Sequence, residues 1–321
     1  MHRCLVTGGA GFIGSHITER LIKDGHRVVV LDNFSSGKEE NLSFIKNYPL
    51  AAGRYTLIKG DIRDFSTCRD ASQDIDFVFH QAALRSVPKS MANPIDYNEV
   101  NINGTLNMLE VSRQQGVKRF VFASSSSIYG DTDQFPQGEN NLPLLISPYA
   151  LTKLAGEYYC RIYSHHYGLA SVCLRYFNVF GPRQALDDEY AVVIPKFIHC
   201  ILNNEPPPIY GTGRQSRDFT YIDNVVQANI LSAVTPDINW AVLNIANGRD
   251  TAVLELVDIL NKIMHKNIQP VHLPLRPGDV FKTLADISQA KSIIGYQPQI
   301  DFREALEITL EWFKESAKGV K

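Results

Sequence analysis

The sequence predicts an α/β fold, a doubly wound parallel sheet with a smaller C-terminal α/β lobe. Three observations predict it. Short apolar runs alternate with segments of helical periodicity over the first half of the chain, as expected when helices join parallel strands. A glycine-rich turn, Thr7–Gly14, separates the first strand from the first helix. Beyond Pro182 the pattern changes to short elements punctuated by proline and glycine, which is typical of a smaller lobe.

Composition places the chain among ordinary globular proteins. Its 321 residues, 44% of them hydrophobic, suggest two domains or one large domain with an appended lobe. Net charge of −2 indicates neither a nucleic-acid-binding nor a membrane-binding surface. No apolar leader is expected, because Met1 runs directly into the strand Cys4-Leu5-Val6. The five cysteines are scattered through apolar runs, so we expect buried, reduced thiols in a cytoplasmic protein and no metal site.

The first unit is a strand, a glycine turn, a helix and a second strand. The strand His2–Val6 leads into the turn, Ser15–Lys23 has helical spacing, and Arg27–Leu31 ends at Asp32. Glycines let backbone approach a pyrophosphate whose charge rests on the helix N-terminus, as in Rossmann-type domains. Asp32 is placed to accept hydrogen bonds from a ribose diol, which favours NAD; the nearby Lys38 leaves NADP open.

The remaining elements follow in order. Asn33–Pro49 is polar and is predicted to be a loop. A long helix, Tyr97–Gln115, contains two asparagines and a glycine, which indicates close packing or a buried polar contact. A helix over Asp223–Val234 and a strand over Val242–Ala246 are predicted to rejoin the first sheet. The third to sixth strands are predicted at Tyr55–Lys59, Asp76–His80, Arg119–Ala123 and Leu169–Arg175.

Two side chains near the strand ends have competing interpretations. Asp61 follows the third strand, where ligands bind in open parallel sheets, and it could hold an adenine amino group or cap the next helix. His80 is predicted to be a packed core histidine and not a catalyst. The small residues Ala82 and Ala83 would let backbone pass close to a cofactor.

A Tyr–Lys pair is the strongest catalytic candidate. Ser147 is a good helix N-cap and Pro148 suits the first helical position, so a helix should begin there. Tyr149 and Lys153 then lie on one helical face, where an ammonium beside the phenol favours the phenolate, a usable base. The run Ser124–Gly130 leaves the fifth strand just before this helix, so its hydroxyls are expected to face the same site.

With these motifs in order, the chain resembles the extended short-chain dehydrogenases/reductases, specifically the UDP-galactose 4-epimerase family. The likeness is closest to UDP-N-acetylglucosamine (or its uronic acid) 4-epimerases, on the stretches Ala82–Pro88 and Asn178–Gln184. The motifs that carry the family resemblance run the length of the chain: Thr7–Gly14, Asp32-Asn33, Gly60-Asp61, His80–Ala83, Asn101, Ser124–Gly130, Tyr149–Lys153, Arg175–Asn178, Arg217-Asp218, Asn244–Gly248 and Arg276–Asp279.

The resemblance implies an NAD-dependent 4-epimerase of UDP-hexoses. Tyr149 would take the proton of the sugar 4-hydroxyl while hydride passes from carbon 4 to the nicotinamide. Lys153 would hold the nicotinamide ribose and lower the pKa of Tyr149, and Ser125 would bridge the reacting oxygen and the tyrosine. The 4-keto sugar would turn over and receive the hydride on its other face, so that NAD stays bound.

The resemblance also assigns binding residues. Those implied for NAD are Gly8, Gly11, Phe12, Ile13, Gly14, Asp32, Asn33, Ser35, Gly37, Asp61, Ile62, Ala82, Ala83, Asn101, Tyr149, Lys153 and Tyr176. Those implied for the UDP-sugar are Arg85, Ser125, Ser126, Tyr149, Asn178, Val193, Tyr210, Arg217, Arg276, Asp279 and Thr283. Arg217 and Arg276 suit phosphate oxygens because a guanidinium can grip two at once.

Departures from related enzymes narrow the reaction. Dehydratases of the family have an Asp-Glu pair after the bridging hydroxyl, and UDP-glucuronate decarboxylases have a Glu two residues after it. Here Ser126 and Ser127 occupy those positions, so the acid needed for elimination is missing and epimerisation remains. Thr283 matches a family position where a large aromatic is associated with exclusion of N-acetylated sugars, so the resemblance implies UDP-GlcNAc/UDP-GalNAc as substrates, with UDP-Glc/UDP-Gal as further substrates. Arg85 leaves open a substrate with a C6 carboxylate.

The predicted organisation follows the same resemblance. Residues 1–178 plus about 220–248 would form the NAD-binding domain, and residues 179–219 plus 249–321 the UDP-sugar lobe. A homodimer through helices 97–115 and 149–167 is expected. Two alternatives stay open: a net-redox reductase with exchangeable NADP(H), which Asp32 disfavours, and a nucleotide-sensing regulator, which would be expected to lose the Tyr, Lys or Ser.

Overall fold

The computed structural model describes residues 1–48, 53–185, 193–275 and 279–318. Its main feature is a seven-stranded, all-parallel sheet with the strand order β11-β6-β5-β4-β1-β2-β3. The order reverses between β1 and β4, and such a switch point opens a crevice at the carboxyl ends of the strands. The predicted doubly wound α/β fold is therefore confirmed. The sheet strands are β1 (Arg3–Thr7), β2 (Arg27–Asp32), β3 (Tyr55–Lys59), β4 (Phe77–His80), β5 (Arg119–Ser125), β6 (Ser171–Tyr176) and β11 (Trp240–Ile245).

Helices cover the sheet, and two hydrophobic clusters of buried side chains fill the space between them. The central strands read as continuous apolar runs because both faces are buried. The helices are α1 (Phe12–Lys23), α2 (Phe65–Ala71), α3 (Val87–Ala92), α4 (Pro94–Asn98), α5 (Gly104–Gln114), α6 (Pro148–Tyr167), α7 (Val193–Leu202), α8 (Ile222–Val234), α9 (Val253–Met264), α10 (Ser288–Ile294) and α11 (Phe302–Lys318).

The smaller C-terminal lobe carries three two-stranded pairings among the described residues: β7 (Val179–Phe180) with β10 (Thr220–Tyr221), β9 (Ser216–Asp218) with β12 (Asp250–Ala252), and β8 (Pro208–Tyr210) with β13 (Val271–Leu273). Between these pairings the chain returns once to the large sheet. Strand β11 pairs with β6, and α8 packs against α1, as the sequence predicted for this excursion.

Two segments differ from the sequence prediction. The stretch expected to be a loop contains a 3₁₀ helix, Glu39–Asn47, because Leu42 and Phe44 are buried in the core. The long helix expected over Tyr97–Gln115 begins at Pro94 and contains a π-helical turn, Glu99–Asn103, between α4 and α5. Such a turn accommodates the poor helix formers that the sequence places there.

Candidate active site

A cavity of about 1310 Å³ opens at the carboxyl ends of the sheet strands. Most residues predicted to bind a cofactor or substrate from the first sheet line it. From the predicted set they are Gly8, Gly11, Phe12, Ile13, Gly14, Asp32, Asn33, Ser35, Asp61, Ile62, Ala82, Ala83, Arg85, Ser125, Tyr149, Lys153, Tyr176 and Asn178. The cavity thus joins predicted residues as far apart in the chain as Gly8 and Asn178.

The glycine turn is built for close backbone approach. A Cβ at Gly14 would lie 2.1 Å from the carbonyl oxygen of Gly8, so no side chain larger than hydrogen fits there without a shift. Gly8 has a φ of 67° and a Cβ there would lie 2.8 Å from the backbone of Ala82. The turn and the loop after β4 are thereby held against each other at the mouth of the cavity.

Asp32 lies at the tip of β2, as predicted, and is 6% exposed. Its carboxylate accepts backbone hydrogen bonds from Ala10 (2.9 Å) and Phe34 (2.8 Å). Burial raises the pKa of this carboxyl, against these two hydrogen bonds, which lower it. Each carboxylate oxygen accepts more than one hydrogen bond, so the group can still bind a diol.

Asp61 is not a helix cap. The cap of α2 is Asp64, whose carboxylate accepts from the backbone N–H of Ser66, so that alternative for Asp61 is wrong. Asp61 instead accepts hydrogen bonds from Arg63 and, at 2.8 Å, from Asn33. The Arg63 guanidinium lowers the pKa of Asp61 to about 2. Asp61 is therefore an ionised acceptor on the cavity wall.

Helix α6 begins where the sequence predicted. Ser147 caps α6 by accepting a hydrogen bond from the backbone N–H of Ala150, and Pro148 is the first helical residue. Tyr149 and Lys153 lie on the cavity side of this helix, with the Lys153 Nζ 5.9 Å from the centre of the Tyr149 ring. The predicted Tyr–Lys pair is therefore present.

The environment of Tyr149 acts on its pKa in opposite directions. Burial raises the pKa of Tyr149, while its hydrogen bond with Ser125 and the charge of Arg85 lower it. Lys153 donates to the carbonyl oxygen of Ala123 at 2.8 Å, and burial lowers the pKa of Lys153 to about 8. Burial thus outweighs the effects that lower the pKa of Tyr149, and the Lys153 ammonium donates to a carbonyl oxygen; the lowering of the Tyr149 pKa by Lys153 stays a prediction.

His80 is a core residue, as predicted. Its ring nitrogens lie 2.8 Å from the Thr7 hydroxyl and 3.0 Å from the Thr105 hydroxyl. Burial lowers the pKa of His80 to about 3, so the ring is neutral at physiological pH.

Asn101 holds the backbone of Leu84, which lines the cavity. The Asn101 side chain accepts a hydrogen bond from the Leu84 N–H (2.8 Å) and donates one to the Leu84 carbonyl oxygen (3.0 Å). This is the buried polar contact that the sequence indicated.

The substrate residues predicted in the smaller lobe form a separate group. Arg217 donates to the carbonyl oxygens of Ser216 (2.8 Å) and Phe281 (3.2 Å). Burial lowers the pKa of Arg217, and the negative charge of Asp279 offsets this lowering only in part. Thr283 accepts hydrogen bonds from Asn178 (2.9 Å) and from the N–H of Asp218 (3.1 Å). Arg276 lies outside the described residues.

Several predicted residues do not line the cavity among the described positions, and their roles stay predictions: Gly37, Asn101, Ser126, Val193, Tyr210, Arg217, Asp279 and Thr283. Conversely, the cavity includes residues to which the sequence gave no role, among them Arg183, His199 and Trp312. Arg183 belongs to a quoted motif. His199 and Trp312 lie on amphipathic helices without a motif, so no local signal could have identified them.

No cluster of three or more His, Cys, Asp or Glu side chains suited to a metal ion occurs within residues 1–48, 53–185, 193–275 and 279–318. All five cysteines are buried and free, as predicted. In the same ranges, no helix is both long and apolar enough to span a bilayer.

Comparison with known proteins identifies the family to which this chain belongs. Residues 4–246 match the NAD dependent epimerase/dehydratase family. The putative UDP-glucose 4-epimerase of Methanocaldococcus jannaschii is 38% identical over 314 residues, 97% of this chain and 98% of that protein. A UDP-N-acetylglucosamine 4-epimerase from Methanobrevibacter ruminantium M1, solved with UDP-N-acetylmuramic acid, is 43% identical with a TM-score of 0.92, over 98% of this chain and 99% of that one.

A third relative has been solved with a cofactor. MoeE5, in complex with UDP-glucuronic acid and NAD, is 36% identical with a TM-score of 0.87, and covers 98% of this chain and 99% of its own. The likeness to each of these proteins extends over nearly the whole chain.

Proposed function

This chain belongs to the NAD dependent epimerase/dehydratase family, and we infer that it is an NAD-dependent 4-epimerase of UDP-sugars. The observation that carries the inference is the group Ser125, Tyr149 and Lys153 on the wall of the large cavity. A dehydratase or decarboxylase would need a carboxylic acid beside Ser125, and this chain has Ser126 and Ser127.

The residues present fit NAD. A Cβ at Gly14 would lie 2.1 Å from the Gly8 carbonyl oxygen and one at Gly8 would lie 2.8 Å from the Ala82 backbone, so glycine keeps this turn tight, and a tight turn at a helix N-terminus presents backbone N–H groups to a pyrophosphate. Asp32, at the cavity wall, suits a ribose diol, and its negative charge disfavours the 2′-phosphate of NADP. The chemistry that the group supplies when bound is reversible hydride transfer with carbon 4 of the sugar.

The chain's own residues supply the proton transfer. Tyr149 acts as the base in its phenolate form, which arises when its own proton leaves to solvent in the cavity; the phenolate then accepts the proton of the sugar 4-hydroxyl, while Ser125, which interacts with Tyr149, orients the phenol and the reacting oxygen. Lys153 is largely cationic at neutral pH, since its pKa is about 8. Its charge, held by the carbonyl of Ala123, favours the phenolate once Tyr149 has lost its own proton. The returning proton reverses the same path.

For the substrate we propose UDP-GlcNAc/UDP-GalNAc, with UDP-Glc/UDP-Gal as further substrates. Thr283 is small, which leaves room for an acetamido group, and the 43% identical relative is a UDP-N-acetylglucosamine 4-epimerase. A uronic acid such as UDP-GlcNAcA or UDP-glucuronate is the second candidate. Arg85 favours it, because this cation lines the cavity and its charge acts on Tyr149.

Incubation of the purified protein with UDP-GlcNAc, UDP-Glc or UDP-GlcNAcA, each without added NAD, tests the proposal. Proton NMR of the anomeric signals should show the galacto epimer, and the relative rates identify the substrate. A Tyr149→Phe variant should be slower by roughly 100-fold or more, because it lacks the acid–base group. If no epimer forms from any of the three sugars, with or without added NAD, the 4-epimerase proposal is wrong.

We further propose a homodimer through helices 97–115 and 149–167, in the cytoplasm. Large apolar side chains on the outer face of α6 support the dimer: Leu151, Tyr158 and Ile162 are 53%, 54% and 44% exposed, and Ile95 at the start of the neighbouring helix is 75% exposed. Their spacing of seven and four residues places the three on one face of α6. A Tyr158→Asp/Ile162→Asp variant should sediment as a monomer, and an unchanged mass would refute the interface.

A further inference from the structure

Four consecutive residues at the end of β5 are each held by a residue of α6. At Phe122 the helix approaches so closely that a Cβ on Gly156 would lie 2.2 Å from the ring. Two of the other contacts are hydrogen bonds, Lys153 Nζ to the Ala123 carbonyl oxygen (2.8 Å) and Ser124 Oγ to Glu157 Oε1 (2.5 Å), and at the last position the interaction of the Ser125 side chain with Tyr149 lowers the pKa of Tyr149. The second of these hydrogen bonds lies directly between the contacts of Lys153 and Tyr149 along the strand.

Glu157 is itself clamped from β6. Arg175 donates its Nε to Glu157 Oε1 at 2.9 Å and its Nη2 to Oε2 at 2.8 Å, a two-point grip that fixes the carboxylate plane. Both side chains are at least 95% buried. Burying an ion pair costs desolvation free energy that the attraction between the two charges barely offsets. Apolar residues of similar volume would therefore stabilise the protein about equally. Geometry, and not net stability, is what this pair provides.

Arg175 also binds Tyr129, which in turn binds strand β11. Its Nη1 donates to the Tyr129 hydroxyl at 3.0 Å, and Tyr129 donates to Asn244 on β11 at 2.7 Å. Nη1 also donates to the Glu139 carbonyl oxygen at 3.3 Å, so the guanidinium has three partners and the carboxylate of Glu157 has one favoured position. That position fixes where the Ser124 hydroxyl lies.

We propose that Glu157, clamped by Arg175, is a positioning residue: by binding Ser124 it sets the register of α6 on β5 that brings Tyr149 to Ser125 and Lys153 to the Ala123 carbonyl. The side-chain hydrogen bonds of Glu157 run to Ser124 and Arg175, so its side chain acts on Tyr149 and Lys153 through the strand. The proposal rests on the proposed epimerase activity for its kinetic test.

Ser124→Ala is the sharpest variant. It removes only the hydrogen bond between strand and helix and leaves the Glu157–Arg175 pair intact. We expect kcat to fall about 5- to 50-fold with KM within about twofold, because small misplacements of reacting groups are costly. Because the bond with Ser125 lowers the pKa of Tyr149, loosening it should move the alkaline-rising limb of kcat to higher pH.

Ser232→Ala is the matched control. Ser232 is equally buried and donates one hydrogen bond, to the Ala228 carbonyl within α8. It should leave both kcat and the pH limb unchanged. If Ser124→Ala also kept wild-type kcat and pH dependence and lost only thermal stability, Glu157 would be structural and the proposal would be overturned.

A double-variant cycle tests the route through the strand. The double change Glu157→Leu/Arg175→Met removes the acceptor of the Ser124 hydroxyl together with its counter-charge and should lower kcat; adding Ser124→Ala should have little further effect, since both changes break the same contact. Effects on kcat that multiply would overturn the proposal.

A second test needs no substrate. Ultraviolet titration measures the ionisation of the Tyr149 phenol as the difference between a protein and its Tyr149→Phe variant. An inactive wild type would refute the epimerase proposal, whereas an unshifted Tyr149 titration in Ser124→Ala would refute the positioning role.

Discussion

The glycine turn and the substrate group of the smaller lobe differ in how they are built: the turn is local backbone, and the substrate group consists of side chains from distant positions in the chain. Each is proposed to hold charged oxygens of a ligand. The turn does so within eight consecutive residues, Thr7–Gly14, through backbone that side chains would obstruct. The substrate group is assembled from side chains far apart: Asn178 binds the Asp218 carbonyl, 40 residues away, and Thr283, 105 residues away. Local backbone sterics can be recognised in a sequence, whereas assembled side chains need the fold.

The largest expected effect tests the turn. Gly14→Ala places a Cβ 2.1 Å from the Gly8 carbonyl oxygen, so the turn must open. We expect the purified variant to carry no NAD(H) released on denaturation, and activity to fall about 100-fold or more, equivalent to about 2.7 kcal/mol of transition-state stabilisation. Gly138→Ala is the control, because its nearest neighbour would lie 3.5 Å away. Full NAD(H) content in Gly14→Ala would show that backbone sterics do not define the turn.

The second prediction concerns Arg217. If its guanidinium binds the substrate diphosphate, Arg217→Met should raise KM roughly 10- to 100-fold with little change in kcat, as expected for loss of charged hydrogen bonds worth about 1.5–3 kcal/mol. Retained NAD(H) should be normal, which separates this group from the glycine turn. The exposed Arg214, three residues earlier, gives the control Arg214→Met. Steady-state kinetics with an unchanged KM would remove Arg217 from the substrate site.

Thr283 offers a finer test, because its hydroxyl is already used within the protein. Thr283→Val removes the acceptor of Asn178 and of the Asp218 N–H without changing shape, and should lower the free energy of unfolding by about 1–3 kcal/mol. It should leave the ratio of UDP-GlcNAc to UDP-Glc turnover unchanged. Thr283→Tyr adds bulk and should lower that ratio roughly 10-fold or more. Equal ratios in both variants would contradict the proposed role of this position in acetamido recognition.

The last prediction concerns His80, which packs beneath the glycine turn, and its effect on stability is confined to acid pH. Its folded pKa of about 3 is below the ordinary value of 6.5, so the unfolded chain binds more protons between these values. Stability is therefore unaffected above pH 6.5 and is lost as pH falls toward 3, by at most about 1.4 kcal/mol per pH unit. His80→Gln should flatten this slope in denaturant unfolding at several pH values. His166→Gln, an exposed control, should not; equal slopes for His80→Gln and wild type would contradict the assignment.

The first sheet could be predicted from sequence because its signals are local. Apolar runs set the strands, Ser147-Pro148 sets the start of α6, and the glycines set the turn. The 3₁₀ helix at Glu39–Asn47 was missed because its two buried residues, Leu42 and Phe44, are buried only by packing against distant parts of the chain. The cap of α2 is Asp64 and not Asp61, because Asp64 accepts from Ser66 and Thr67 at the helix start, whereas the Asp61 carboxylate is bound by the neighbouring Arg63 and by the distant Asn33.

The sequence by itself determined the doubly wound fold, the cofactor turn and the Tyr149/Lys153 pair, because each depends on residues within one or two turns of backbone. Only the tertiary structure decided how the pair is tuned. Whether Tyr149 is buried, and whether Lys153 faces the phenol or the Ala123 carbonyl, depends on how α6 lies on β5. That register is set by Ser124, Glu157 and Arg175, which come from three separate elements. Desolvation and long-range hydrogen bonds act through space, and spacing along the chain does not encode them.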